Sequence, residues 1–145
     1  MALWFEGLAL VSAALFAGGA LYASVAEHPG RMKAGLTVAM AEFGPSYRRA
    51  APWQASSAAL CLVSGGLATG LTSQWAWLGG AVAVGAAIPF TLVGMMPTNR
   101  RLLSGRSLRE EEAARLLTRW GSLHWIRSAL GLSGLIVLAF AALLR

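Results

Sequence analysis

Three uncharged stretches, residues 7–26, 50–99 and 128–144, constrain this chain more than any other feature. A helix crossing about 30 Å of hydrocarbon needs about 20 mostly apolar residues, whereas a soluble core needs no uncharged runs of that length. The middle stretch is too long for one crossing and divides into two spans near Leu71-Thr72-Ser73-Gln74. Four spans follow, over about residues 3–26, 52–71, 75–96 and 120–144, separated by charged segments 27–51 and 97–119. A transmembrane β-barrel would instead alternate apolar and polar positions along strands of about 10 residues; here the runs are uniformly apolar. The expected fold is all-α: an integral membrane four-helix bundle forming one domain over residues 1–145.

The charges that remain are segregated. Of 18 charged residues, 15 lie in the segments from Glu27 to Arg49 and from Arg100 to Arg119. The formal net charge of +6 therefore does not mark a nucleic-acid surface. No aromatic platform or basic recognition helix accompanies the arginines. By the positive-inside rule both segments are cytoplasmic and both termini lie outside, in what reads as a bacterial inner membrane. Glu6 and Arg145 count as terminal, which leaves Arg127 as the one charge inside a span. Ser24-Val25-Ala26 resembles the end of a signal peptide, but the preceding region carries Glu6 and no Lys or Arg, so an uncleaved first span is expected. The single Cys61 excludes an intrachain disulfide and any C-x-x-C redox pair.

Local patterns refine this layout. Span one offers Ala13, Ala17, Gly18, Gly19 and Ala20 for close helix approach and ends at Glu27-His28-Pro29-Gly30. Leu36, Met40 and Phe43 recur at helical spacing, which predicts a short interfacial helix over about residues 31–43, terminated by Gly44-Pro45. Gly66 and Gly70 form a G-x-x-x-G spacing in span two. Trp75 and Trp77 suit an aromatic anchor at the outer interface. Pro89 inside span three frees the carbonyl near Gly85. Ser107-Leu108-Arg109-Glu110 is a capping box that starts a charged helix, with Glu110, Glu111 and Glu112 in its first turn. That helix continues into span four with Ala113, Leu116, Leu117, Trp120, His124 and Arg127 on one face, and Gly121 is a candidate bend.

The polar residues at the membrane boundary are few: Glu27, His28, Glu42, His124 and Arg127, with Asn99, Thr98 and Tyr47 at the same level. Ionisable groups at that depth are costly and usually face an interior cavity. Each has a structural alternative. Arg127 can snorkel to phosphates, and Glu27 can pair with Arg31 or Arg127. The convergence of the chain's two histidines on one level favours a site. Two chemistries are open. A His with a tuned pKa acts as general base while Arg, Asn and Tyr hold an oxyanion. Alternatively, His28 and His124 with Glu27 or Glu42 bind iron or copper. Adjacent Glu27 and His28 point about 100° apart on a helix, so ligation by both requires unwinding at Pro29-Gly30.

Several strings carry a family resemblance. Tyr22-Ala-Ser-Val-Ala-Glu27-His28-Pro29-Gly-Arg31, then Pro45-Ser-Tyr47-Arg-Arg49-Ala followed by Gln54, resemble the DUF1772 family of anthrone oxygenase-like membrane proteins. Pro89-Phe-Thr91, Pro97-Thr98-Asn99-Arg-Arg-Leu102 and Trp120-Gly-Ser-Leu-His124-Trp-Ile-Arg127 continue the match in order. The resemblance implies four spans and O2-dependent oxidation of an apolar aromatic substrate such as an anthrone, with O2 as cosubstrate. It implies chemistry at Glu27, His28, Asn99, His124 and Arg127, with Tyr22, Tyr47, Trp120 and Thr98 against the substrate. Gly30 departs from the Ala expected there. The competing reading is a non-catalytic membrane protein that binds a lipid, a quinone or a protein partner. Beyond the bilayer and a hydrophobic small molecule, the sequence leaves a homo-oligomer open.

Overall fold

The computed structural model describes residues 1–104 and 108–144. Four helices, each long and apolar enough to cross a membrane, account for nearly all of them: α1 (Ala2–Lys33), α2 (Leu36–Thr72), α3 (Trp75–Leu103) and α4 (Glu110–Leu143). They run antiparallel in chain order, and α4 closes back against α1. The charged ends of all four therefore meet at one end of the bundle, and the Ser73-Gln74 turn lies at the other. Ser73 adopts a left-handed conformation (φ 59°) that stops α2. Leu3, Trp4, Val63, Leu71, Val93 and Leu143 all stand exposed on the outer surface. An apolar exterior of that extent matches hydrocarbon rather than water.

The helices approach closely because their seams are built from small residues. Ala9, Ala13, Phe16, Ala20, Ala58, Cys61, Ala68, Trp77, Ala81, Val84 and Leu138 form one core cluster. A Cβ on Gly80 would lie 2.9 Å from the Gly134 carbonyl oxygen, so the α3–α4 crossing requires glycine. A second cluster of Ala39, Phe43, Met95, Leu102, Leu117 and Trp120 fills the charged end. The expected G-x-x-x-G pair is not at an interface: Gly66 and Gly70 face open space, and Gly65 beside them packs on α3. Trp77 likewise is buried and donates to Gln74 Oε1 (3.2 Å), so of the expected pair Trp75 alone is an exposed anchor.

The separate interfacial helix is also corrected. Residues 31–33 finish α1, the chain turns at Ala34-Gly35, and α2 then runs unbroken from Leu36 through Pro45 and Pro52. Gly35 has φ 102°, open to glycine alone, and is the real break. An internal proline costs about 3 kcal/mol. Stopping the helix at Gly44-Pro45 would instead orphan a whole turn of backbone groups. Continuation also keeps Leu36, Met40, Phe43 and Tyr47 on one packed stripe.

Prolines explain the remaining irregularities. Residues Ala23–Glu27 of α1 and Thr91–Met95 of α3 form π-helical turns. Pro29 and Pro97 each stand two residues beyond a π turn, and the carbonyl that each ring would strike, four residues back, belongs to Val25 or Val93 at the centre of that turn. The wider turn makes room for the ring, so neither helix unwinds. Pro89 falls in the first turn after a local interruption at Ala86. The helix α4 begins at Glu110 and passes Gly121 without a break. The capping Ser107 lies outside the described residues. Glu6, read as terminal, is instead buried within α1.

Candidate active site

Where the two core clusters meet, the bundle encloses a cavity of about 300 Å³ with walls from all four helices. That is at the small end of small-molecule sites, which run from about 300 to 1,000 Å³. The apolar walls include Phe16, Phe43, Ile88 and Trp120. Tyr22, Trp53 and Leu92 line the cavity and are also 62%, 56% and 59% exposed, so it reaches the apolar outer surface of the bundle.

The polar wall is organised around His124 and Arg127, one turn apart on α4. His124 Nε2 is 3.4 Å from an Arg127 terminal nitrogen, and the other terminal nitrogen donates to Gln54 Oε1 (3.4 Å). Gln54 is held from behind by donating to the Phe16 carbonyl (3.3 Å). The guanidinium lies 5.4 Å from the Phe16 ring centroid, and its Nε has no hydrogen-bond partner. Among the described residues no carboxylate pairs with Arg127. A guanidinium donates only, so His124 Nε2 must accept and the imidazole is neutral.

Behind His124 the hydrogen bonding continues away from the cavity. Its Nδ1 is 3.0 Å from Ser24 Oγ, Ser24 Oγ is 2.8 Å from Ser128 Oγ, and Ser128 Oγ reaches the Ala20 carbonyl at 2.9 Å. All three side chains are buried. Across the cavity the carboxylates serve a different cation. Glu27 accepts from Arg31 and Ser46, and Arg31 Nε is 2.8 Å from Glu42. Arg31 is itself buried and sits 5.7 Å from the Trp120 ring.

The expected site residues fall into two groups. Glu27, Tyr22, Tyr47, Trp120, His124 and Arg127 line the cavity. His28, Glu42, Thr98 and Asn99 do not, and each stands behind a residue that does or apart from the wall. His28 packs against Trp120 with centroids 5.1 Å apart, and Trp120 stacks on His124 at 4.6 Å. Asn99, almost fully buried, donates to the Tyr47 hydroxyl (3.1 Å). Thr98 is buried beside it.

The two-histidine, one-carboxylate set is not assembled. Among the described residues no three His, Cys, Asp or Glu side chains gather as metal ligands. Glu27 and Glu42 are drawn onto Arg31, while both imidazoles pack on the Trp120 indole. The donor arrangement therefore does not fit the expected iron or copper ion. Sequence reasoning also missed Ser24, Ser128 and Arg31 as site elements, and met Gln54 only as part of a family string. Ser128 sits one helical turn beyond His124, which was a usable signal. Ser24 carried none, because span one is rich in small residues.

These features define a class: a four-span membrane protein whose helices enclose a polar-walled cavity near the charged end of the bundle. The family model described as Anthrone oxygenase matches residues 43–137, about two thirds of the chain, and the protein belongs to that family, the same as DUF1772. The matched stretch contains Tyr47, Gln54, Asn99, Trp120, His124 and Arg127. The string from Tyr22 to Arg31 lies outside it, so the likeness covers less of the chain than the sequence motifs implied. No curated protein and no solved structure matches the chain.

Proposed function

We propose that this protein oxidises a planar, apolar aromatic substrate with O2, converting an activated methylene to a carbonyl in the manner of anthrone oxidation. The observation that carries this reading is the pairing, in one cavity wall, of a neutral His124 whose Nε2 accepts only a long 3.4 Å contact from Arg127 and an Arg127 with no carboxylate partner among the described residues. A base beside a cation that no carboxylate neutralises suits a substrate that loses a proton from carbon and gathers the negative charge on oxygen.

The chemistry follows from those two groups. Arg127 N–H groups donate to the substrate carbonyl oxygen and stabilise it as it becomes an enolate. His124 Nε2 removes the methylene proton. The resulting electron-rich anion gives one electron to O2, and the carbon radical and superoxide combine to form a C–O bond. His124 returns its proton to the peroxide oxygen, and loss of water leaves the carbonyl. The balance is CH2 plus O2 giving C=O plus H2O, with no further oxidant. Tyr47, held by Asn99, and Trp120, held between the imidazoles, supply fixed walls. The exposed edges at Tyr22, Trp53 and Leu92 support delivery of a greasy substrate from the bilayer.

The test is turnover of an anthrone by purified protein in lipid nanodiscs, followed by O2 uptake and quinone absorbance above the uncatalysed rate. Replacing His124 with Ala is expected to lower kcat by about 10²- to 10⁴-fold while the helical content holds. Turnover that survives this substitution overturns the base assignment. Tight quinone or lipid binding with no turnover by the wild type would instead establish the non-catalytic reading.

A further inference from the structure

The chain of hydroxyls behind His124 has two ends of fixed polarity. At one end, Arg127 can only donate to Nε2 at 3.4 Å. At the other, the Ala20 carbonyl can only accept from Ser128 at 2.9 Å. A hydroxyl carries one hydrogen, so these ends set the direction of every bond between them. Ser128 donates to Ala20, Ser24 donates to Ser128, and Ser24 is left to accept from His124 Nδ1. The reverse direction would place an Nε2–H against an arginine N–H.

We propose that Ser24 and Ser128 are positioning residues that hold His124 as its Nδ1–H tautomer, so that proton removal and proton return both run through Nε2 into the cavity. The catalytic half of this inference rests on the oxidation proposed above; the tautomer half does not. A backbone carbonyl is not a proton acceptor at ordinary pH, and among the described residues no carboxylate or further histidine hydrogen-bonds to either serine. The chain is therefore closed to proton exit, unlike a relay that leads to solvent. It also lacks the carboxylate that backs the histidine in a Ser-His-Asp triad and stabilises the imidazolium. A proton taken by His124 has no acceptor behind it and must go back to whatever occupies the cavity, which is what the peroxide step requires. The π turn at Ala23–Glu27 contributes by keeping Ala20, Ser24 and His28, spaced four residues apart, on the inward face.

The discriminating measurement is 15N NMR of histidine-labelled full-length protein in nanodiscs. The chain has two histidines, and a His28→Gln variant assigns the His124 signals. The wild type is expected to show protonated Nδ1 and unprotonated Nε2. Ser128→Ala leaves the Ser24 hydroxyl without its acceptor, frees it to donate to Nδ1, and is expected to admit a measurable fraction of the Nε2–H tautomer, which the long Arg127 contact opposes only weakly. Ser24→Ala is expected to mix the tautomers and lower kcat at least about fivefold, the fold-change of one neutral hydrogen bond, with KM unchanged within about twofold. Ser24→Thr keeps the hydroxyl and is expected to restore both. A wild type with Nε2–H, or a Ser128→Ala variant with an unmoved tautomer, overturns the proposal. A wild type with Nδ1–H and no anthrone turnover removes the proposed oxidation while upholding the tautomer.

Discussion

Substituting Gly121 with Ala separates a positioning role for His28 from a direct one. A Cβ at Gly121 would lie 2.6 Å from His28 Nε2 and 2.7 Å from its Cδ2. The ring cannot rotate aside freely, because it packs against Trp120, which stacks on His124. Overpacking of this kind costs about 1–3 kcal/mol. Exchanging glycine for alanine inside a helix returns about 0.5–1 kcal/mol, so the net effect is a loss of about 0–2.5 kcal/mol. In a His28→Ala background the clash is absent, and the same Gly121→Ala change should stabilise by about 0.5–1 kcal/mol. The coupling between the two positions is then about 1–3 kcal/mol, well above the scatter expected of independent sites. SDS titration followed by tryptophan fluorescence reads the stabilities, and anthrone turnover reads the shift passed through Trp120. Equal effects of Gly121→Ala in both backgrounds would refute the packing reasoning.

Other perturbations probe the remaining walls. Arg127→Gln should lower kcat by about 10²- to 10³-fold, as loss of an oxyanion donor does, with thermal stability unchanged or raised because a half-buried cation with no carboxylate partner among the described residues is removed; unchanged kcat excludes the oxyanion role. Tyr47→Phe deprives the buried Asn99 amide of its acceptor and should destabilise by about 1–3 kcal/mol, measured by the same SDS titration; a stable variant would mean that the amide finds another partner. Exhaustive chelation should leave anthrone turnover intact, since Glu27 and Glu42 are committed to Arg31; activity that falls with metal content and returns with added iron or copper would reject the direct route to O2.

Much of the architecture was legible because the bilayer simplifies the problem. Long uncharged runs read directly as helices, and the Ser73-Gln74 turn fell where the middle run had to divide. The misreadings arose where a strong local signal met a stronger global one. Gly44-Pro45 reads as a terminator, yet the packed stripe from Leu36 to Tyr47 carries the helix through it. His28 and His124 were rightly placed at one level, but spacing alone could not show that Trp120 takes both rings. The carboxylates near the histidines suggested metal ligands; their preference for Arg31 depends on how α1 and α2 meet, which no local pattern encodes.

The two π turns have a consequence for how these helices can vary. Each acts as a phase shift: it inserts one residue into the helical repeat, so the residues beyond it present a face about 100° away from the one a uniform α-helix would offer. In α1 the inward frame that runs through Ala13, Ala17 and Ala20 is handed on to His28 and Arg31, and in α3 the frame of Ala81 and Val84 is handed on to Thr98 and Asn99. Each of these helices is thus two half-helices in different phase, joined without a gap. Loss of a single residue between positions 23 and 27 would shorten α1 by a fraction of a turn. It would leave Arg31 facing Glu42, because the uniform α-helix that remains keeps the frame the inserted residue had absorbed, whereas straightening the turn with no residue lost would swing Arg31 about 100° away.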